Sequence, residues 1–376
     1  MTEREALRQT AREFVRREVA PHLQAWEDAG EIPRELHTKA GAQGLLGVAF
    51  PEAVGGEGGD LADSVAMQEA FFEAGASSGL MAGLFTCGIA LPHMAASGNA
   101  DLVDRFVRPT LAGETIGALA ITEPGGGSDV AGIRTTARRE DGFYVVNGAK
   151  TFITSGVRAD FVTTAVRTGP PGHAGVSLLV VEKGTPGFTV DRSLPKMGWH
   201  CSDTAELSYV DVRVPAANLV GEEGSGFHQI AAQFVVERIA LAVHAYGIAA
   251  RSLALTAAYC RQRETFGKPL IANQVVRHRL VEMHRQVEVA RAYTHAVVAR
   301  HVAGESVIAE AALAKQTAVE ASTYVCDQAV QLHGGTGYMH GTEVERHYRD
   351  ARILPIGGGA TEVLTDLAAK LLGYAS

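Results

Sequence analysis

Apolar residues near the amino terminus recur at the spacing of one helix face. Thr2 stands three places before Glu5, the spacing of a capping box, and Leu7, Ala11, Phe14 and Val15 then share a side until Pro21 interrupts the run. Helical signals continue to about residue 115, broken by the turn Gly55, Gly56, Gly58, Gly59 and by Pro92 and Pro109. From about 116 to 222 the texture changes to short β-favouring runs. These are Phe143 to Val146 before the turn pair Asn147-Gly148, Val176 to Val181, Phe188 to Val190 and Leu207 to Val214, with Gly, Pro and Asp between them. Beyond Pro215 and the Gly221 to Gly226 loop the helical period returns, predicting long helices near 226–262, 272–302 and 308–333 and a last one near 361–372. The pattern predicts an α+β multidomain chain: an N-terminal α-helical domain over 1–115, a middle antiparallel β-barrel or sandwich over 116–222, and a C-terminal four-helix bundle over 223–376.

The length of 376 residues fits two or three packed units with room for a cofactor. With Lys+Arg 34 against Asp+Glu 42 and a formal net charge of -8, the chain has no basic excess to neutralise a nucleic-acid backbone. Cys87, Cys201, Cys260 and Cys326 are widely spaced, with no CxxC pair and no zinc-ligand spacing, so they are expected to be free, buried thiols and no metal is expected. The amino terminus carries Glu3 and Glu5 and has neither the form of a secretory signal nor that of a transit peptide; the expected location is the cytoplasm. Charged residues are expected to break every apolar run before it reaches membrane-spanning length. The sequence also lacks GxGxxG after a strand, GxxxxGK[ST], HExxH and GxSxG, which removes the usual support for Rossmann-type hydride transfer, P-loop chemistry, zinc proteolysis and serine hydrolysis.

What remains are glycine-rich segments beside polar residues. The run Thr122 to Asp129 is either an ordinary loop or one whose glycines let a ligand approach the backbone. The glycines of Gln331 to Gly337 read equally as helix C-caps or as a ligand turn. Between Gln229 and Ala250 the only charged residues are Glu237 and Arg238, in a helix otherwise apolar or small. Adjacent helix positions do not face each other, so this is not a simple ion pair. A partly buried carboxylate there would hold its proton more tightly, as a general base requires. His200, His228, His244 and His333 read better as structural than as alternative bases.

Taken in order, seven segments resemble the acyl-CoA dehydrogenase family, and the resemblance extends over nearly the whole chain: Pro51 to Asp60, Ile121 to Asp129, Gly148 to Gly156, Met197 to Leu207, Arg263 to Lys268, Gln331 to Tyr338 and Arg349 to Val363. It implies FAD in a cleft between the β-domain and the carboxyl-terminal helices. Thr122 and Thr154 would then hydrogen-bond the isoalloxazine, with Phe152 packing on it where many relatives carry Trp. Arg263, Thr265, Phe266, Gln274, Gln331, Gly334 and Gly335 would reach the FAD of a neighbouring subunit, and Ala360, Thr361 and Glu362 would complete its contacts. Ser128 would touch the pantetheine arm of CoA, with Arg238, Gly357 and Gly358 on the substrate side. Short- and medium-chain relatives carry the catalytic Glu where this chain has Gly358. Isovaleryl-CoA and long-chain types lack it there and place the base on an earlier helix before an Arg, here Val236-Glu237-Arg238.

The resemblance therefore implies α-proton removal by Glu237 and hydride transfer to flavin, giving a trans-2-enoyl-CoA, with the Gly358 N–H holding the thioester oxygen. Electrons would pass to an electron-transfer flavoprotein, and the assembly would be a homotetramer. Two other readings stand beside it: an oxygen-using flavoenzyme of the same fold, either an oxidase or a monooxygenase, and a non-catalytic acyl-CoA-binding subunit. The small apolar stretch Leu80 to Leu91 is a candidate lining for an acyl cavity.

Overall fold

The computed structural model describes residues 2–375. Helix Glu3–Phe14 begins where the Thr2 hydroxyl accepts the Glu5 N–H at 3.2 Å. Its apolar face packs on helix Leu61–Glu73, bringing Phe14 within 5.9 Å of Phe71 between ring centres. That second helix is fixed at its start by reciprocal bonds between Asp60 and Asp63, each backbone N–H donating to the other's carboxylate at 3.0 Å.

Seven strands form the middle sheet: β1 (Gly117–Ala120), β2 (Thr136–Glu140), β3 (Phe143–Thr154), β4 (Phe161–Arg167), β5 (Val176–Glu182), β6 (Phe188–Ser193) and β7 (Thr204–Pro215). The β2–β3, β3–β7, β4–β5 and β6–β7 pairings are antiparallel, as expected, but β1 runs parallel to β4, with Gly117 opposite Phe161. The intervening β2–β3 hairpin supplies the crossover such a parallel pair needs. The turn expected at Asn147-Gly148 is a correction: β3 continues through it. The local register shifts instead, and Asn147 exchanges hydrogen bonds with Asp211 across the sheet, donating to its carboxylate at 3.0 Å and accepting its N–H at 2.9 Å. The actual hairpin turn is Asp141-Gly142, where both φ angles are positive (41° and 83°).

Helices Gly226–Gln262, Gln274–Val302, Ile308–His333 and Thr361–Leu371 follow the predicted spans closely, and Glu343–Ala351 adds one that periodicity did not single out. An 18-residue stretch of Gly226–Gln262 is apolar enough to cross a membrane, contrary to the expectation that charges break every run, but 61% of it is buried inside the protein, so the reading that fits is a core helix. Glu69 joins the two helical regions. Its carboxylate accepts from Arg8 at 2.9 Å and from Tyr246 at 3.0 Å, and His295 lies 2.9 Å away, so four helices converge on one side chain. Burial alone would raise its pKa, but the hydrogen bonds and charges of His295, Arg8 and Tyr246 outweigh that and bring it down to about 2. All four cysteines are free and buried.

Candidate active site

Between the sheet and the long helix Gly226–Gln262 lies a narrow cleft open to solvent, lined by Gly88, Ile89, His93, Leu119, Ile230, Gln233, Phe234 and Glu237. Gly88 and Ile89 come from the stretch proposed to line an acyl cavity; Leu80 and Leu84 instead belong to the core. Glu237 is half-buried, open toward the cleft and closely packed elsewhere. Desolvation raises its pKa above the ordinary carboxylate value, against the opposing pull of Lys315 and Arg238. Arg238 makes no ion pair with it: the guanidinium lies over the Phe234 ring, 5.3 Å from its centre, with Nε unpartnered.

The loop carrying Gly358 meets Glu237 here. Gly358 has φ +63°, and a β-carbon there would lie 3.2 Å from a Glu237 carboxyl oxygen and 2.3 Å from the Leu241 Cδ1. The two positions that the resemblance offers for the base, Glu237 and Gly358, are thus neighbours in space, and only one of them carries a carboxylate. Lys315, buried on helix Ile308–His333, clamps this loop by donating to the Gly357 carbonyl and, at 2.7 Å, to the Gly359 carbonyl. Burial lowers its pKa to about 8, with Glu237 acting to hold it up. Nothing in the sequence distinguished this lysine.

Across the sheet, the Thr122 loop is tied to the strand that carries Phe152. The Thr151 N–H donates to the Thr122 carbonyl at 2.9 Å, and the buried Lys150 ammonium donates to the Ile121 carbonyl and the Glu123 carboxylate, each at 2.9 Å. Glu123 also accepts the Arg134 and Thr135 N–H groups at 2.7 and 2.9 Å. Lys150 and Glu123 were not anticipated; they fall inside two of the recognised segments but act by holding them together. Phe152 sits at the register shift between Lys150 and Ile153, with φ +60° and 69% of its surface exposed. Thr122 and Thr154 are half-buried beside it, and Ser128 is exposed on the loop.

Arg263, Phe266, Gln274, Gln331, Gly334 and Gly335 lie at the surface and Thr265 is half-buried, on a two-stranded turn and at helix ends; Ala360 and Thr361 are half-buried and Glu362 exposed where the last helix begins. None of them is among the residues that line the cleft. A flavin fits these groups: an aromatic face held bare at Phe152, and glycines at 125, 126, 334 and 335 around which a β-carbon would meet nothing within 4 Å.

A fold of two helical regions around a curled sheet, with an isolated acid in the cleft between them and a bare aromatic on the sheet, defines a flavin-dependent dehydrogenase class. The N-terminal, middle and C-terminal domains of acyl-CoA dehydrogenase match residues 1–114, 118–212 and 224–373. The chain is 39% identical over 374 residues to the mitochondrial long-chain specific acyl-CoA dehydrogenase of Rattus norvegicus, covering 98% of this chain and 86% of that one. It superposes on the crystal structure of a putative acyl-CoA dehydrogenase from Mycobacterium smegmatis with TM-score 0.99 and 63% identity, covering 100% of this chain and 99% of that one. It also matches the FAD complex of PigA with TM-score 0.95 and 27% identity, covering 99% and 98%. The chain belongs to the acyl-CoA dehydrogenase family and is an FAD-dependent enzyme.

Proposed function

We propose that Glu237 is the base that removes the α-proton of an acyl-CoA thioester, the product being a trans-2-enoyl-CoA. The observation that carries this reading is the placement of Glu237 beside Gly358, its proton affinity raised by burial, in a cleft that is otherwise mostly apolar. A thioester α-proton is much less acidic than a carboxylic acid, and each pKa unit of mismatch costs about 1.4 kcal/mol. Raising the base narrows the gap from one side. From the other, the Gly358 N–H is the donor proposed for the thioester oxygen, an interaction of the kind worth about 3 kcal/mol. The Lys315 clamp keeps that backbone from turning away.

FAD, when bound, takes up the β-hydrogen as hydride. Thr122, Thr154 and Phe152 would hold its ring, and Ala360, Thr361 and Glu362 the rest of the same molecule. Arg263, Thr265, Phe266, Gln274, Gln331, Gly334 and Gly335 would serve the FAD of an adjoining copy in a homotetramer. The exposure of Phe266, Val275 and Tyr338 supports such an assembly. Ser128 would meet the pantetheine arm, and Arg238 would support the substrate side through Phe234. The acceptor in this reading is an electron-transfer flavoprotein, and the setting is the cytoplasm.

Anaerobic addition of acyl-CoA to the holoenzyme tests this. The wild type should lose its flavin absorbance, whereas Glu237→Gln should remain yellow; bleaching of the variant at a near-native rate would remove Glu237 from the role. Admitting air to the reduced enzyme tests the acceptor, since rapid reoxidation would place oxygen there instead.

A further inference from the structure

The cleft beside Glu237 is lined by apolar groups except at Glu237 itself and at two further places, His93 and Gln233. His93 is 3% exposed, and neither ring nitrogen has a hydrogen-bond partner. Four histidines are buried among the described residues, and the other three each have one: His37 with the Gly83 carbonyl at 3.2 Å, His244 with the Ser78 hydroxyl at 3.1 Å, and His347 with the Ser252 hydroxyl at 2.8 Å. The Gln233 side chain, half-buried on the same wall, makes no hydrogen bond among the described residues. Native interiors rarely leave such groups unmet, and a histidine kept for packing alone would normally bond a nearby carbonyl or hydroxyl, as its three counterparts do.

Burial holds the His93 pKa down to about 4, so near neutral pH the ring is uncharged, with one nitrogen donating and the other accepting. The lining contains no Lys or Arg, so a carboxylate on the chain would enter without compensation. An unsubstituted alkyl chain would leave both ring nitrogens unpaired. A neutral oxygen function pairs with one of them: a hydroxyl with either nitrogen, a keto oxygen with the one that carries the proton.

Resting on the acyl-CoA dehydrogenase reading above, we propose that the preferred acyl chain carries a hydroxyl or keto group, hydrogen-bonded inside the cleft by His93 and Gln233. His93 is then a specificity residue, acting on the chain beyond the reacting carbons.

The test uses the holoenzyme and matched acyl-CoA pairs of equal length, one plain and one with a single hydroxyl or keto group stepped along the chain beyond the β-carbon. In anaerobic flavin bleaching, the oxygenated member at one position should be favoured in kcat/KM by roughly 10-fold or more. Binding of the corresponding CoA alkyl thioethers, which lack the carbonyl and cannot react, should show the same preference by calorimetry. His93→Phe and His93→Leu should bring both ratios close to one. A wild-type ratio below about twofold at every position, or variants that keep the wild-type ratio, would overturn the proposal. The wild-type series decides even if neither variant folds. Plain chains bleaching as well as oxygenated ones removes this inference and leaves dehydrogenation standing; no bleaching by any acyl-CoA removes both.

Discussion

Two glutamates, both on helices, one buried and one half-buried, have opposite surroundings. Glu69 is held by Arg8, Tyr246 and His295 and pushed down to about 2; Glu237 has no hydrogen-bond partner among the described residues and is pushed up by burial. The difference teaches what each region is for. A carboxylate saturated with donors cannot act as a base, because its lone pairs are already used, but it can hold helices together. One left bare destabilises its neighbourhood and keeps its reactivity.

Exchanging each for its amide sharpens the contrast. Glu237→Gln should lower substrate-driven bleaching roughly 100- to 10,000-fold while leaving the thermal midpoint unchanged or slightly higher; a marked fall in stability would mean that the group is structural. Gly358→Ala comes next. Its β-carbon would press on Leu241 from a left-handed backbone, and displacing the loop should reduce kcat/KM roughly 100-fold. A near-native alanine variant would show that the Gly358 backbone does not position the substrate.

Glu69→Gln should show the reverse pattern to Glu237→Gln: about 2 kcal/mol less stability in denaturant titration, with little change in bleaching per folded molecule. The pH axis separates the two carboxylates as well. The folded pKa of Glu69 lies below its ordinary 4.5, so its stabilisation is complete above about 4.5 and is lost as pH falls toward about 2. For Glu237 the raised folded value reverses the sign, and ionisation on the alkaline side costs stability. Wild type and Glu69→Gln should therefore converge in stability in acid; a constant gap would refute the assignment.

The smallest effect is expected from Lys315→Met. Removing the cation lets the Glu237 pKa rise further, so the acid limb of the kcat/KM profile should move to higher pH, with the loss of activity confined to the acid side. An unmoved limb would show that Lys315 only clamps the loop.

The sequence made the long helices and Glu237 legible for the same reason: both are departures from a local background, one a period and the other a lone charged pair in an apolar run. Asn147-Gly148 was misread as a turn because the group that satisfies it, Asp211, lies 64 positions away. Lys315 escaped notice because the carbonyls it binds lie 42 and 44 positions further on. His93 escaped because being unpartnered is a property of the packed chain and leaves no trace in composition or spacing. The parallel placement of β1 was likewise hidden, since four residues carry no information about strand direction.

If flavin packs on Phe152, as proposed above, this residue would couple the chain's fate to vitamin supply. An aromatic residue in a left-handed conformation costs the polypeptide about 1 kcal/mol or more in backbone strain, and in the proposed reading burial of its exposed ring against a flavin would offset that cost. Molecules made faster than flavin is delivered should be the ones cleared first, so abundance in a riboflavin-starved cell would track the cofactor pool rather than the rate of synthesis.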